Sequence, residues 1–489
     1  MKGNLFLLLP IFVPVAMALV QYYVRLTAKG RNVLTVLTLA ATAAMAVYAA
    51  MHQGMECVLW NMTDRISIAF RVDGLSVLYL SLISIVWACV GLYATEYLEH
   101  DASPRRFYLF YLITLGVLMG LSMAKNLITL YMFYELMTLL SMPLVLHNLD
   151  KESVAAALKY LLYSVFGASA ALLGVFYVGA NAPSFDFIPG GQFGAEDAAV
   201  TPVALAIFFV MIVGFGVKAG MFPMHSWLPT AHPVAPAPAS AVLSGVITKA
   251  GVLGILRTIY YVAGVEALRG TWVQYAFMVL TLITVILGSL MAFKEKHFKR
   301  RLAYSTVSQV SYVLFGLSTM TKLGFIGALL HIVFHSLIKD TLFMSAGAVI
   351  HKTGKTSVDE LRGIGKRMPA TMWCFTIVSL GLVGIPPTGG FISKWNIAEG
   401  AMTLSNAASW IGPACLLVSA ILTAAYLLSI SIRAFFPGED MPAAELSRCE
   451  ASWRMIVPMA LLSVLVVALG MFPGALLNLF GTVASAVAL

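Results

Sequence analysis

The sequence predicts an all-α polytopic membrane protein with about fourteen spanning helices, two of them broken and set in two inverted five-helix repeats. Three observations predict it. The chain is 60% hydrophobic and only 11% charged, with a mean hydropathy of +0.89, far outside the soluble range. Apolar runs of about 20 residues, the length needed to span a bilayer, recur from Leu5 to Leu479. The basic residues fall in alternate loops between those runs.

The apolar runs place helices at 4–24, 33–51, 74–95, 107–122, 127–147, 157–180, 202–231, 239–262, 272–292, 302–319, 324–350, 370–398, 408–434 and 454–472. With the N-terminus outside, the inner loops hold Arg25, Lys29 and Arg31, then Arg105 and Arg106, then Lys151. Later inner loops hold Lys294 to Arg301, then Lys352 to Arg367, then Arg433 and Arg448. The outer loops are almost bare, and the long one, NAPSFDFIPGGQFGAEDAAVT, has no Lys or Arg. A missed helix would invert everything downstream, so the alternation supports the count and puts both termini outside.

Lys2 and the apolar run ending in Ala16-Met17-Ala18 resemble a signal peptide. The stronger positive flank, Arg25 to Arg31, follows the run and favours an uncleaved first helix. The net charge of +9 therefore reads as loop topology, and no nucleic acid is expected. Five scattered cysteines without C-x-x-C spacing predict no cofactor or metal centre.

Two runs are broken. The first, VGFGVKAGMFPMHSWLPTAHPVAPAP, carries five prolines after Gly214, Gly216 and Gly220. The second, VSLGLVGIPPTGGFISKWNIAEG, carries Pro386, Pro387, Gly389 and Gly390 in its middle. Proline removes a backbone donor, and unpaired backbone in a bilayer is tolerated only where protein or water covers it. The breaks lie five helices apart, which divides the chain into 1–106, a first repeat at 107–262, an inverted second repeat at 263–434, and 435–489.

A charge at the centre of a spanning helix costs about 2.5–3.5 kcal/mol on insertion scales, so each needs a reason. Glu135, Lys218, Lys249, His331, His335, Lys339 and Lys394 all fall inside the runs, and His225 lies in the first break as a candidate accessory. His331, His335 and Lys339 stand at i, i+4 and i+8, on one helix face rising about 6 Å per step. Local readings exist for single members. Glu135 and Lys218 could satisfy each other as an ion pair, Lys339 could pair with Asp340, Arg257 could snorkel outward, and His225 could fill the break. Two histidines at helical spacing also suit zinc, but no third ligand or H-E-x-x-H glutamate accompanies them. The whole set is explained by a proton relay, since desolvated lysines and histidines can exchange protons near neutrality.

The stretches YELMTL, GFGVKAGMFPMHSWLPTAHPVAPAPASAVLSGVITKAG, HIVFHSLIKDTLF and GIPPTGGFISKW, in that order, resemble the antiporter-like subunits of respiratory complex I (NADH:quinone oxidoreductase), membrane-bound hydrogenases and Mrp Na+/H+ antiporters. The resemblance implies that Glu135 and Lys218 form the coupling pair of the first half, that Lys249 is the central lysine, and that His331, His335 and Lys339 link across to a terminal Lys394. Some complex I subunits carry glutamate at the last position, unlike this chain. It implies other membrane subunits as partners, protons as the cargo with Na+ as the alternative ion, and a prokaryotic inner membrane as the location. Redox chemistry would belong to partner subunits, or be absent in an Mrp-type exchanger.

Overall fold

The structure is a computed structural model and describes residues 2–193, 200–438, 441 and 446–489; positions 194–199 of the long polar loop lie outside the described residues. The helices are α1 (Leu5–Tyr23), α2 (Ala28–Met51), α3 (Gly74–Tyr97), α4 (Pro104–Ser122), α5 (Leu127–Val145) and α6 (Lys151–Asn181). There follow α7 (Pro202–Ala219), α8 (Trp227–Val234), α9 (Ala237–Ala263), α10 (Trp272–Lys294), α11 (Phe298–Ser318) and α12 (Lys322–Thr353). The last are α13 (Pro369–Val383), α14 (Gly389–Met402), α15 (Ala408–Phe435), α16 (Trp453–Met471) and α17 (Gly474–Ala486). Every expected run coincides with one of these helices, or, at the two breaks, with the pairs α7–α8 and α13–α14.

Eleven helices among the described residues are long and apolar enough to cross a membrane. The expected spans at α4 and α11 are outside that set, as is the broken one at 370–398, whose halves α13 and α14 are each too short. Arg105 and Arg106 open α4, while α11 opens on Lys299, Arg300 and Arg301 and continues with many hydroxyls. Both are nevertheless largely buried, including the hydroxyls of α11, while Arg105 and Arg106 are half-buried and Arg300 is exposed.

Two elements were not expected. Residues 52–73 form an antiparallel sheet, β2 (Glu56–Asn61) with β3 (Ser67–Arg71), extended by β1 (Lys2–Gly3) at the N-terminus. The sheet is fastened to the start of α5, where the Asn126 amide donates to Ser67 O at 3.0 Å and the Ala69 N–H donates to Thr129 Oγ1 at 3.0 Å. The second element is α17, which packs Val483 against the start of α3 beside the sheet. Both chain ends therefore lie at the same end of the bundle.

At each break the first half-helix ends on a glycine with positive φ, Gly220 at 81° and Gly384 at 95°. That conformation costs an L side chain about 1–2 kcal/mol and costs glycine nothing comparable. The loosened carbonyls find side chains: Trp227 Nε1 donates to Val217 O at 2.9 Å, and Lys394 Nζ donates to Leu382 O and Val383 O. The breaks are thus satisfied inside the protein, as lipid requires.

At the centre, α9 is buried over its whole apolar window and α12 over 94% of it. A helix that is apolar all round belongs inside, yet these two carry Lys249, His331, His335 and Lys339. In α9 the ladder slips to π-type bonding at Leu243–Ile247 and Thr258–Ala263. Such bulges redirect carbonyls and recur at functional sites; the first leads straight into Lys249.

Candidate functional site

Lys218 occupies the last turn of α7 and is fully buried. Its ammonium donates to Thr138 Oγ1 at 2.9 Å, Tyr160 OH at 2.7 Å and Ser164 Oγ at 3.1 Å. Three N–H donors meet three acceptors. The Tyr160 ring also lies 4.2 Å from Nζ, placing a π face against the charge. The ion pair with Glu135, one of the local readings, is not present among the described residues. Glu135 sits half-buried one turn before Thr138 and acts on Lys218 only through space. The hydroxyls of α5 and α6 stand in the carboxylate's place, a substitution that nothing in the spacing of YELMTL announces.

Lys249 follows the first π-turn of α9. Its Nζ donates to Ser244 O at 2.5 Å and lies 2.6 Å from His335 Nδ1. Thr248 Oγ1 donates to the same Ser244 carbonyl at 2.9 Å, so the bulge presents an acceptor to two side chains. With Lys249 charged, His335 accepts at Nδ1 and carries its proton on Nε2, which has no hydrogen-bond partner.

His335 and His331 lie one turn apart on α12, their rings tilted by 36° with centroids 6.0 Å apart. His331 Nδ1 lies 2.9 Å from Ser393 Oγ on α14, and its ring stacks on Tyr312 of α11 at 5.6 Å. Another neighbour of Tyr312 is Lys394, with Nζ 4.9 Å from the ring centroid. Tyr312 and Ser393 thus bridge the histidines to the second break. A line of contacts runs Lys249, His335, His331, Ser393 with Tyr312, and Lys394.

Lys339 leaves this line. Its Nζ donates to Leu302 O of α11 at 3.0 Å, and no ion pair joins it to Asp340 among the described residues, because consecutive helical side chains point about 100° apart. His225 lies in the first break, half-buried over the Phe222 ring at 6.2 Å, and bonds to none of the buried lysines. Arg257 corrects the snorkelling expectation. It is buried and paired bidentately with Asp73, the cap of α3, at 2.6 and 3.0 Å, between the Phe187 and Tyr261 rings. Its partner lies 184 positions upstream, beyond any local pattern.

A cavity of about 850 Å³ opens beside the first break, lined among others by Lys159, Ser226, Thr230, Glu295, His297 and Arg300. Lys159 donates to Thr230 Oγ1 at 3.0 Å and adjoins Tyr160, whose hydroxyl holds Lys218. Also unforeseen is His232, buried with both ring nitrogens unpartnered and stacked on Phe343 at 4.6 Å. Close behind it, Lys299 Nζ donates to Pro233 O at 3.1 Å and to Ala235 O, tying α11 to the end of α8.

Residues 124–423, which hold every lysine, histidine and glutamate of the expected relay, match the family described as NADH:quinone oxidoreductase/Mrp antiporter, TM. Residues 60–108 match NADH-Ubiquinone oxidoreductase (complex I), chain 5 N-terminus. The chain is 32% identical over 421 residues to NADH-quinone oxidoreductase subunit N of Desulforudis audaxviator (strain MP104C), covering 82% of this chain and 81% of that one. It is 33% identical over 353 residues to hydrogenase-4 component B of Escherichia coli (strain K12), covering 69% of this chain but only 52% of that longer protein. In fold it is similar to a chain of the Mrp complex from Dietzia sp. DQ12-45-1b, with a TM-score of 0.85 at 22% identity over 98% of this chain and 96% of that one. The chain belongs to the NADH:quinone oxidoreductase/Mrp antiporter family of multi-pass membrane subunits.

Proposed function

We propose that this subunit relays protons through its buried lysines and histidines as part of a multisubunit membrane assembly, driven by a redox reaction on partner subunits. The observation that carries the reading is the line of contacts from Lys249 through His335 and His331 to Ser393, Tyr312 and Lys394. Lys249–His335 and His331–Ser393 are hydrogen-bond contacts of 2.6 and 2.9 Å, while His335 to His331 and Lys394 to Tyr312 are ring contacts of 6.0 and 4.9 Å. In this reading the chain crosses the membrane about fourteen times, with α4 to α9 and α10 to α15 as inverted halves. The cavity at Lys159 and Thr230 admits protons from the inner side toward Lys218, and Lys394 releases them outward. Two unit charges 4 Å apart at an effective dielectric near 20 interact by about 4 kcal/mol, and one charge crossing 100 mV involves about 2.3 kcal/mol. Charge rearrangement within a half is therefore on the scale of one pumped proton.

Lys218→Ala and Lys249→Ala, each in the intact assembly, are expected to abolish proton translocation while the redox or exchange partner subunits remain bound. Unchanged translocation in both variants sinks the relay. The same vesicles, assayed with and without Na+, separate a proton pump from an Mrp-type exchanger, the second reading.

A further inference from the structure

Asp340 is a buried carboxylate on α12 that the relay described above does not use. Its side chain is fully buried, and neither carboxylate oxygen meets a hydrogen-bond donor. No ion pair reaches it among the described residues.

Its surroundings are specific. Asp340 lies where α12 packs against α9 and α3. One turn earlier, Ser336 Oγ donates to Gly245 O at 2.5 Å; one turn later, the Met344 carbonyl accepts from Tyr93 OH of α3 at 2.9 Å. The carboxylate rests on Gly245 itself. A Cβ added there would meet Oδ2 at 1.9 Å and Oδ1 at 2.5 Å, so only glycine leaves room. Gly245 belongs to the π-turn whose Ser244 carbonyl holds Lys249. The titratable groups that face Asp340 are Lys249 on α9, Cys89 on α3 and Tyr111 on α4; Lys339, its neighbour on α12, points about 100° away. Of these, Lys249 supplies the charge that acts on it.

A buried carboxylate without partners is costly whether ionised or not. Here the backbone has been shaped to accommodate one. We propose that Asp340 is the proton-exchanging partner of Lys249, an additional carboxylate at the centre of the relay. The Lys249 ammonium gives a proton to the Asp340 carboxylate, directly or through one water, which leaves a neutral amine and a carboxylic acid. The reverse transfer restores the two charges. Only an N–H bond breaks and an O–H bond forms, and no electron moves. The neutral pair removes both charges from the membrane interior while His335, bonded to the same Nζ, passes the next proton. This role rests on the relay reading, so its test must fail separately from it.

The test compares Asp340→Asn with Lys249→Ala in the intact assembly, measuring transport across a range of pH. Asparagine keeps the volume and removes the proton-carrying group. Transport in Asp340→Asn is expected to fall by about tenfold or more, with an altered pH profile, while assembly is retained. An unchanged rate and profile, with Lys249→Ala inactive, overturns the role of Asp340 and leaves the relay standing. Unchanged transport in both variants overturns the relay and this role with it. Should Asp340→Asn fail to assemble, infrared difference spectra of the wild-type assembly carrying isotope-labelled aspartate decide instead. A labelled carboxylic-acid band that changes with pH supports the proposal, and the lack of any such band overturns it.

Discussion

The Lys218 ammonium is held by three hydroxyls at 2.7 to 3.1 Å rather than by a carboxylate. Hydroxyls can donate as well as accept, so the cradle serves the lysine in either protonation state by rotating its O–H bonds. A fixed ion pair would favour one state only. Tyr160 is the central member, since its hydroxyl also meets Ser141 Oγ at 2.7 Å. Hydrogen bonds to charged groups contribute about 1.5–3 kcal/mol. Tyr160→Phe is therefore expected to slow proton transport by about tenfold to hundredfold with the assembly still formed, as measured by proton uptake into vesicles. Lys218 itself could be named from the sequence, because a lysine in an apolar run is conspicuous. Its partners could not, because Thr, Tyr and Ser are unremarkable in a spanning helix and become acceptors only when α5 and α6 meet α7. Asp340 escaped for a related reason: it looked like the neighbour of Lys339.

At the scale of the helix, proline and glycine carried most of the information. The breaks at Gly220 and Gly384 fall where the apolar runs are interrupted, and each places a lysine within a turn or so of the loosened backbone. In the second break, Gly384 has a φ of 95°, and a Cβ there would lie 3.2 Å from Lys394 Cδ. Gly384→Ala is expected to cost about 1–2 kcal/mol from the left-handed backbone alone. It should also displace Lys394 from the carbonyls it caps. Thermal unfolding of the purified assembly reads the first effect and proton transport the second. The π-turns of α9 were not legible in the same way. No proline or glycine pattern distinguishes Leu243–Ile247 from an ordinary buried helix; the slip in hydrogen bonding is decided by how α9 packs between its neighbours.

For the whole molecule, the basic residues predict sidedness. The sheet end of the bundle holds Lys125 paired with Glu56 at 2.8 Å, and Arg65 and Arg71 bound to carbonyls at 2.6 and 2.8 Å. Its few cations are largely consumed by local partners. The opposite end carries the loop cations, including Lys296 and Arg433 on Asp359 at 3.1 and 2.9 Å. Asp64 and Thr356 are exposed at the two ends. With Cys415 and Cys449 replaced, Asp64→Cys is expected to react with a membrane-impermeant maleimide from outside the cell, and Thr356→Cys only after the inner face is opened. Labelling in the reverse order would overturn the orientation.

Composition, apolar run length and the two proline-glycine interruptions were enough to establish a helical membrane protein, to locate its helices within a few residues and to single out the buried lysines and histidines. That information is local, because lipid demands about 20 apolar residues in each span and penalises every charge within it. The arrangement of those groups came only from tertiary structure. Lys218 turned to hydroxyls instead of Glu135, Lys339 turned away from the histidines, Arg257 found Asp73, and Tyr312 came between His331 and Lys394. Each of these contacts joins separate elements of the bundle. Inside the bundle the choice of partner depends on which faces meet, and a single sequence records the faces but not their meeting.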